Sequence, residues 1–233
     1  MLSFLVVIFL GSLLLSLPIS SADGEAVPYL DALFTATTAT CVTGLVTLTT
    51  ASTWSVFGQA VILVLIQVGG LGVVTIMSAL MILLQKRMGI GDRLLIQDAF
   101  NLNSLSGIVR FVKRVILGTA LVEGIGALLY MTVFVPEFGL RGIWIAVFTS
   151  ISAFCNAGFD LMGTKSPYSS LTFYADHPVV NITIMLLIVI GGIGFLTWQD
   201  IRQNGIHLKR YRMQSKVILA TTGILLAVPA LYF

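Results

Sequence analysis

Between Asp31 and Lys86 the chain reads ALFTATTATCVTGLVTLTTASTWSVFGQAVILVLIQVGGLGVVTIMSALMILLQ (residues 32–85), 54 positions without a charged side chain. A single membrane-crossing helix uses only about 20 residues, so this interval holds more than one element. Over all 233 residues, 57% are hydrophobic and 10% charged, against roughly a quarter charged in soluble domains. The chain reads as an integral membrane protein. Its net charge of +3 does not point to nucleic acid, because the 13 Lys and Arg lie in short stretches beside apolar runs and form no basic face interleaved with aromatics. The charge reports topology instead.

Working outward from that interval, the apolar segments are 2–17, 32–40, 56–84, 115–135, 143–154, 179–197 and 217–233. At about 1.5 Å per residue, 32–40 and 143–154 cover only about half of a roughly 30 Å hydrocarbon core; they read as half-helices. Eleven of the 13 basic residues fall in two loops, Lys86 to Arg114 and Arg202 to Lys216, leaving Arg141 and Lys165 elsewhere. If the two short segments are re-entrant, both basic loops lie on one side, the cytoplasmic one. Asp23, Glu25, Asp31, Glu137, Asp160 and Asp176 then lie outside. Segment 2–17 is expected to be a retained span, since no basic residue precedes it as in a secretory signal, although Ser20-Ser21-Ala22 resembles a cleavage site.

The chain also repeats itself. A shift of 114 lays Phe34, Thr35, Ala39, Cys41 and Gly44 on Phe148, Thr149, Ala153, Cys155 and Gly158, five identities in eleven positions. After each block comes a second, Gly69-Gly70-Leu71-Gly72 with Thr75 and Gly191-Gly192-Ile193-Gly194 with Thr197. Each unit starts with a full span, so the copies are parallel repeats. The fold class follows: all-α integral membrane, with five spans and two re-entrant pore helices. Expected boundaries are a first helix/pore-loop/helix repeat at 1–87, a cytoplasmic connection at 88–110, a second repeat at 111–210, and the opening helix of an incomplete third repeat at 211–233. Within the connection, 92–100 has the pattern of a short amphipathic helix capped by Asp92.

Non-helical backbone at membrane depth is tolerated only where protein buries it or where it lines a wet cavity. Cys41-Val42-Thr43-Gly44 and Cys155-Asn156-Ala157-Gly158 occupy that depth. A half-helix entering from outside brings its carbonyl end, with partial negative charge, toward the membrane centre. The returning turn can then offer carbonyl oxygens in place of a cation's hydration water. Such a site suits a desolvated monovalent cation.

Ala39-Thr-Cys-Val-Thr-Gly-Leu45 and Ser152-Ala-Phe-Cys-Asn-Ala-Gly-Phe-Asp160, each followed by a Gly-Gly-x-Gly helix, resemble the first two pore-loop units of the Trk/Ktr/HKT potassium transporters, closest to the N-terminal half of a KtrB-type subunit. The resemblance implies four such units around one potassium pathway, with Gly44 and Gly158 ending two filter stretches. The ion-facing carbonyls would belong to Cys41, Val42, Thr43, Cys155, Asn156 and Ala157. It further implies a multi-pass protein of the cell membrane with no cofactor and potassium as cargo, its passage driven by membrane potential or by coupling to sodium or protons. Implied partners are the lipid bilayer, a second copy of the chain or a C-terminal half that completes the ring, and a cytoplasmic ring of nucleotide-binding subunits (KtrA/TrkA-like). Two units make half a ring, so an N-terminal fragment is expected. The family's intracellular gating segment belongs to its third unit, so no residue here is assigned to gating.

Other residues carry weaker signals. Glu123 lies mid-span, where an acid is a functional candidate by default, yet it could simply bond an adjacent helix. Asp160 follows the second filter and could concentrate cations at the outer mouth, or be an ordinary loop acid. Both cysteines are expected to be small buried side chains, and the Gly-Gly-x-Gly blocks to allow close packing or a bend. With no CxxC or Cys/His spacing, no resident metal is expected. A cysteine-dependent membrane enzyme would need a His or acid at the same depth, and His177 and His207 lie in polar loops. A non-conducting assembly or regulatory subunit is the other rival.

Overall fold

The computed structural model describes residues 2–72, 75, 76, 78, 91, 94, 108–164, 166–205 and 207–232. Among them the elements are α-helices and short 3₁₀ turns, with no strand. The chain forms two compact units, Met1–Ile188 and Val189–Phe233.

In the first unit, α1 (Leu2–Leu15) packs on α2 (Tyr29–Cys41) and α4 (Val56–Leu71), with α3 (Thr50–Thr53) a single turn between them. α1 buries Gly11, Ser12 and Leu15; a Cβ on Gly11 would lie 2.8 Å from Leu65 Cδ1, so glycine is what lets α4 approach. α2 starts behind Pro28, whose fixed φ suits a helix entrance, and carries Asp31 in its first turn. This entrance lies three residues ahead of the apolar segment. Hydropathy cannot see it, because Asp31 belongs to the helix. Ala32, Thr35, Ala36 and Ala39 are buried at i, i+3, i+4 and i+7, a stripe of small residues that permits close packing. α4 is capped by Ser55, whose Oγ accepts from Gly58 N–H at 3.2 Å.

α5 (Ile108–Phe138) has 31 residues and extends beyond the apolar core of 115–135 at both ends, with Arg110, Lys113 and Arg114 in its opening turns. Gly139 in the left-handed region (φ 61) ends it. α6 (Arg141–Phe154) then folds back along it so closely that a Cβ on Gly142 would meet Phe134 O at 2.2 Å. Tyr130 and Phe134 stack at 5.4 Å between ring centroids on α5. α2 and α6, of 13 and 14 residues, reach about 20 Å each, and α1, expected as a full span, also has 14 residues.

α4 stops at Leu71 and restarts after Gly72 (φ 82, ψ 138), with Thr75 and Ile76 donating to Gly72 O. α7 (Pro178–Gly192) stops in the same way before Gly194 (φ 81, ψ 153), where Trp198 N–H donates to Gly194 O and α8 (Phe195–Asn204) begins. Both Gly-Gly-x-Gly blocks are therefore helix breaks of one geometry. In the second unit Asp200 of α8 fastens the entrance of α9 (Met213–Tyr232): its Oδ2 accepts from Arg212 N–H at 3.0 Å and Ser215 Oγ at 2.6 Å.

Among the described residues, Val109–Phe138 and Met213–Tyr232 are long and apolar enough to cross a membrane, and a third crossing results if α7 and α8 form one broken span. Leu2–Leu15, Val56–Leu71 and Arg141–Phe154 are apolar but shorter. The amphipathic helix expected over 92–100 lies outside the described residues apart from Leu94.

Candidate functional site

Both half-helices end in the same hydrogen-bonded turn. At the end of α2, Val42 enters the left-handed region (φ 56, ψ 44) and Thr43 N–H donates back to Thr38 O at 3.0 Å. At the end of α6, Asn156 does the same (φ 58) and Ala157 N–H donates to Ser152 O at 2.8 Å. This six-to-one closure normally places glycine at the left-handed position. Asn tolerates that conformation, whereas β-branched Val42 is a backbone outlier that costs about 1–3 kcal/mol. The chain then turns again at Gly44 (φ 74) and Gly158 (φ 73). Every one of these pairs is related by the shift of 114, so the internal repeat is present in the backbone as well as in the letters.

The sequence-derived site residues thus fall into two matching turns, and those turns meet. A Cβ on Gly44 would lie 2.9 Å from Ala157 O, and one on Gly158 would lie 3.1 Å from Gly44 Cα. No described residue donates a hydrogen bond to the carbonyls of Cys41, Val42, Thr43, Gly44, Cys155, Asn156, Ala157 or Gly158. Cys41, Thr43, Asn156 and Gly158 are exposed, and carbonyls left open in such turns can take up water or a cation. Cys155 is buried as expected, but Cys41 is exposed. Thr43, two residues further on, is exposed as well.

Two hydroxyls that hydropathy and motif reading pass over hold these turns. Thr38 Oγ1 accepts from Leu45 N–H at 3.0 Å and also contacts Thr43 Oγ1. Its counterpart Ser152 donates through Oγ to Phe159 O at 2.6 Å. The signal was available: the shift that pairs Cys41 with Cys155 pairs Thr38 with Ser152 and Leu45 with Phe159. The glycine pair of α4 supports both turns from behind. A Cβ on Gly69 would lie 2.1 Å from Thr40 O, and one on Gly70 would lie 2.5 Å from Cys155 Sγ.

Glu123, 7% exposed, lies on α5 behind the second turn, and its carboxylate accepts from Gln67 Nε2 of α4. Asp160 lines a cavity of about 190 Å³ with Ser152, Asn156, Gly158, Leu171 and Ile188. Burial holds its carboxyl above the ordinary carboxylate range, offset in part by Met162 N–H, which donates to Oδ1 at 2.8 Å. Outside the turns, Tyr168 O–H donates to Thr47 O at 3.0 Å, and Tyr174 O–H donates to Glu137. That bond and burial push the Tyr174 phenol well up.

A family model described as TrkH, a cation transport protein, matches residues 2–230. The chain is 39% identical over 224 residues to the potassium/sodium uptake protein NtpJ of Enterococcus hirae, an overlap of 96% of this chain and 48% of that protein. It is 38% identical over 229 residues to Ktr system potassium uptake protein B of Bacillus subtilis, covering 98% of this chain and 50% of the relative. Against the protein of the same description from Vibrio alginolyticus the figures are 33% over 237 residues, 100% and 50%. These relatives are named as uptake proteins, not as enzymes. The chain spans about half the length of the curated relatives it matches.

Proposed function

The chain belongs to the TrkH cation transport family, and from that premise we propose that it supplies two of four pore-loop units of a potassium uptake pathway. The observation that carries this reading is the set of open carbonyls at 41–44 and 155–158, on two turns of one backbone geometry that abut at Gly44 and Gly158. Carbonyl oxygens replace hydration water around a monovalent cation, and the C-terminal ends of α2 and α6 add partial negative charge. The name of the Enterococcus relative supports sodium as a second cation at the same oxygens.

In this reading α2 and α6 are re-entrant from outside, five spans surround them, and both basic loops face the cytoplasm of a cell membrane. The repeats occupy 1–87 and 111–210, joined by 88–110, and 211–233 opens a third. Two further units close the ring of oxygens, from a C-terminal half or from a second copy. The word system in the names of the Ktr relatives supports a partner subunit; a cytoplasmic nucleotide-binding ring seated on the basic loops fills that role.

Complementation tests the proposal. Cells lacking potassium uptake receive this chain alone, or with the C-terminal half of the Bacillus relative. Growth at low potassium only with both halves is the expected result. Failure of every combination, with both halves present in the membrane, overturns it in favour of a non-conducting assembly subunit.

A further inference from the structure

Gln67 sits on α4 one turn before the glycine pair, and its amide joins two groups from distant parts of the chain. Nε2 donates to Glu123 Oε1 and Oε2 at 3.0 and 3.1 Å, while Oε1 accepts from Cys155 Sγ at 3.4 Å. The chemistry of the ends dictates the middle. A thiol offers its proton and a carboxylate only accepts, so the residue between them must present an acceptor on one side and a donor on the other. An amide of this length does both. Glu at 67 would set carboxylate against carboxylate, and Leu would leave both neighbours without partners.

The anchor is itself fixed. Ser150 Oγ of α6 donates to Glu123 O at 2.7 Å, so the helix bearing the carboxylate is tied to the same half-helix that ends in Cys155. The first turn is held through Thr38 and has no counterpart of this link at its cysteine: Cys41 is exposed and no described residue hydrogen-bonds its thiol. Both carboxylate oxygens of Glu123 accept from the same amide nitrogen of Gln67.

We infer that Gln67, anchored by Glu123, is a positioning residue that fixes the Cys155–Asn156 turn through the Cys155 thiol, a link with no counterpart at Cys41 in the first turn. The consequence for ions rests on the reading of these turns as the cation site. The brace itself does not.

The two are separated by two measurements on the same variants. In a Cys41→Ser background Cys155 is the single thiol of this chain, and its alkylation by N-ethylmaleimide is followed in native membranes. Gln67→Leu and Glu123→Leu are expected to speed the reaction roughly tenfold, the loss of one to two buried hydrogen bonds. Glu123→Gln keeps an acceptor for Gln67 but removes the charge beside the thiol, so rates are compared per thiolate, from the pH dependence of alkylation; compared in that way, it is expected to react at the starting rate. Equal rates in all variants, or Glu123→Gln reacting like Glu123→Leu, overturn the brace. Potassium-over-sodium uptake is then measured in the completed transporter. Selectivity lost in the two Leu variants and kept in Glu123→Gln supports brace and site together. Faster alkylation with unchanged selectivity keeps the brace and removes the cation site.

Discussion

Gly44 and Gly158 touch backbone to backbone: a Cβ on either would lie 3.3 Å or less from the Cα of the other. Both also have φ near 74°, a conformation that L side chains rarely adopt. Two independent constraints therefore exclude a side chain where the turns meet. Replacing either with Ser is expected to raise the potassium concentration for half-maximal uptake about tenfold, the effect of about 1.4 kcal/mol of lost coordination. Gly24→Ser is the control, since Gly24 has the same φ but nothing within 4 Å. Rubidium uptake kinetics in the completed transporter check this; equal effects at Gly24 and Gly44 would count against the site.

The α4 glycines are expected to act through packing alone. Gly69→Ala drives a methyl into Thr40 O and costs about 1–3 kcal/mol. Gly124→Ala, on α5 with no neighbour in reach, gains up to about 1 kcal/mol from helix propensity. Thermal unfolding in detergent distinguishes the two signs.

Removing the hydroxyl braces should loosen the turns without unfolding the chain. Thr38→Val leaves Leu45 N–H without its acceptor and Ser152→Ala leaves Phe159 O without its donor, each worth about 1–2 kcal/mol. Thr38→Ser keeps the bond and is expected to behave as the parent. Sodium leak through the completed transporter, measured beside unfolding temperature, reports the loosening.

Asp160 gives a dependence on external pH. Its folded pKa lies above the ordinary 3.8, so the folded state holds the proton more tightly than the unfolded chain does. Stability therefore falls as pH rises through the interval between 3.8 and the raised value, and is highest below it. Asp160→Asn retains an acceptor for Met162 N–H and should flatten that slope. If the carboxylate draws cations to the mouth, uptake by the parent falls on acidification through the raised folded value, and uptake by the variant does not. Parallel pH profiles would assign Asp160 to loop structure only.

The two turns and the glycine breaks were legible in the letters because duplication writes each of them twice, and a repeat detects what one copy alone would leave ambiguous. Helix entrances were not. Tyr29 and Arg141 begin helices whose first turns include Asp31 and Arg141, and an apolar-segment reading stops at any charge. Gln67 escaped because one amide within an apolar helix has no periodic signature; its meaning lies in the thiol and carboxylate that meet it, 88 and 56 residues away. Cys41 was misplaced because cysteine is typically buried, and only the turn's geometry leaves it open.

Neighbouring residues on one rod, Gly69 and Gly70, abut different loops, and successive positions on an α-helix point about 100° apart. A shift of α4 by even a few tenths of an ångström therefore alters its packing against both loops.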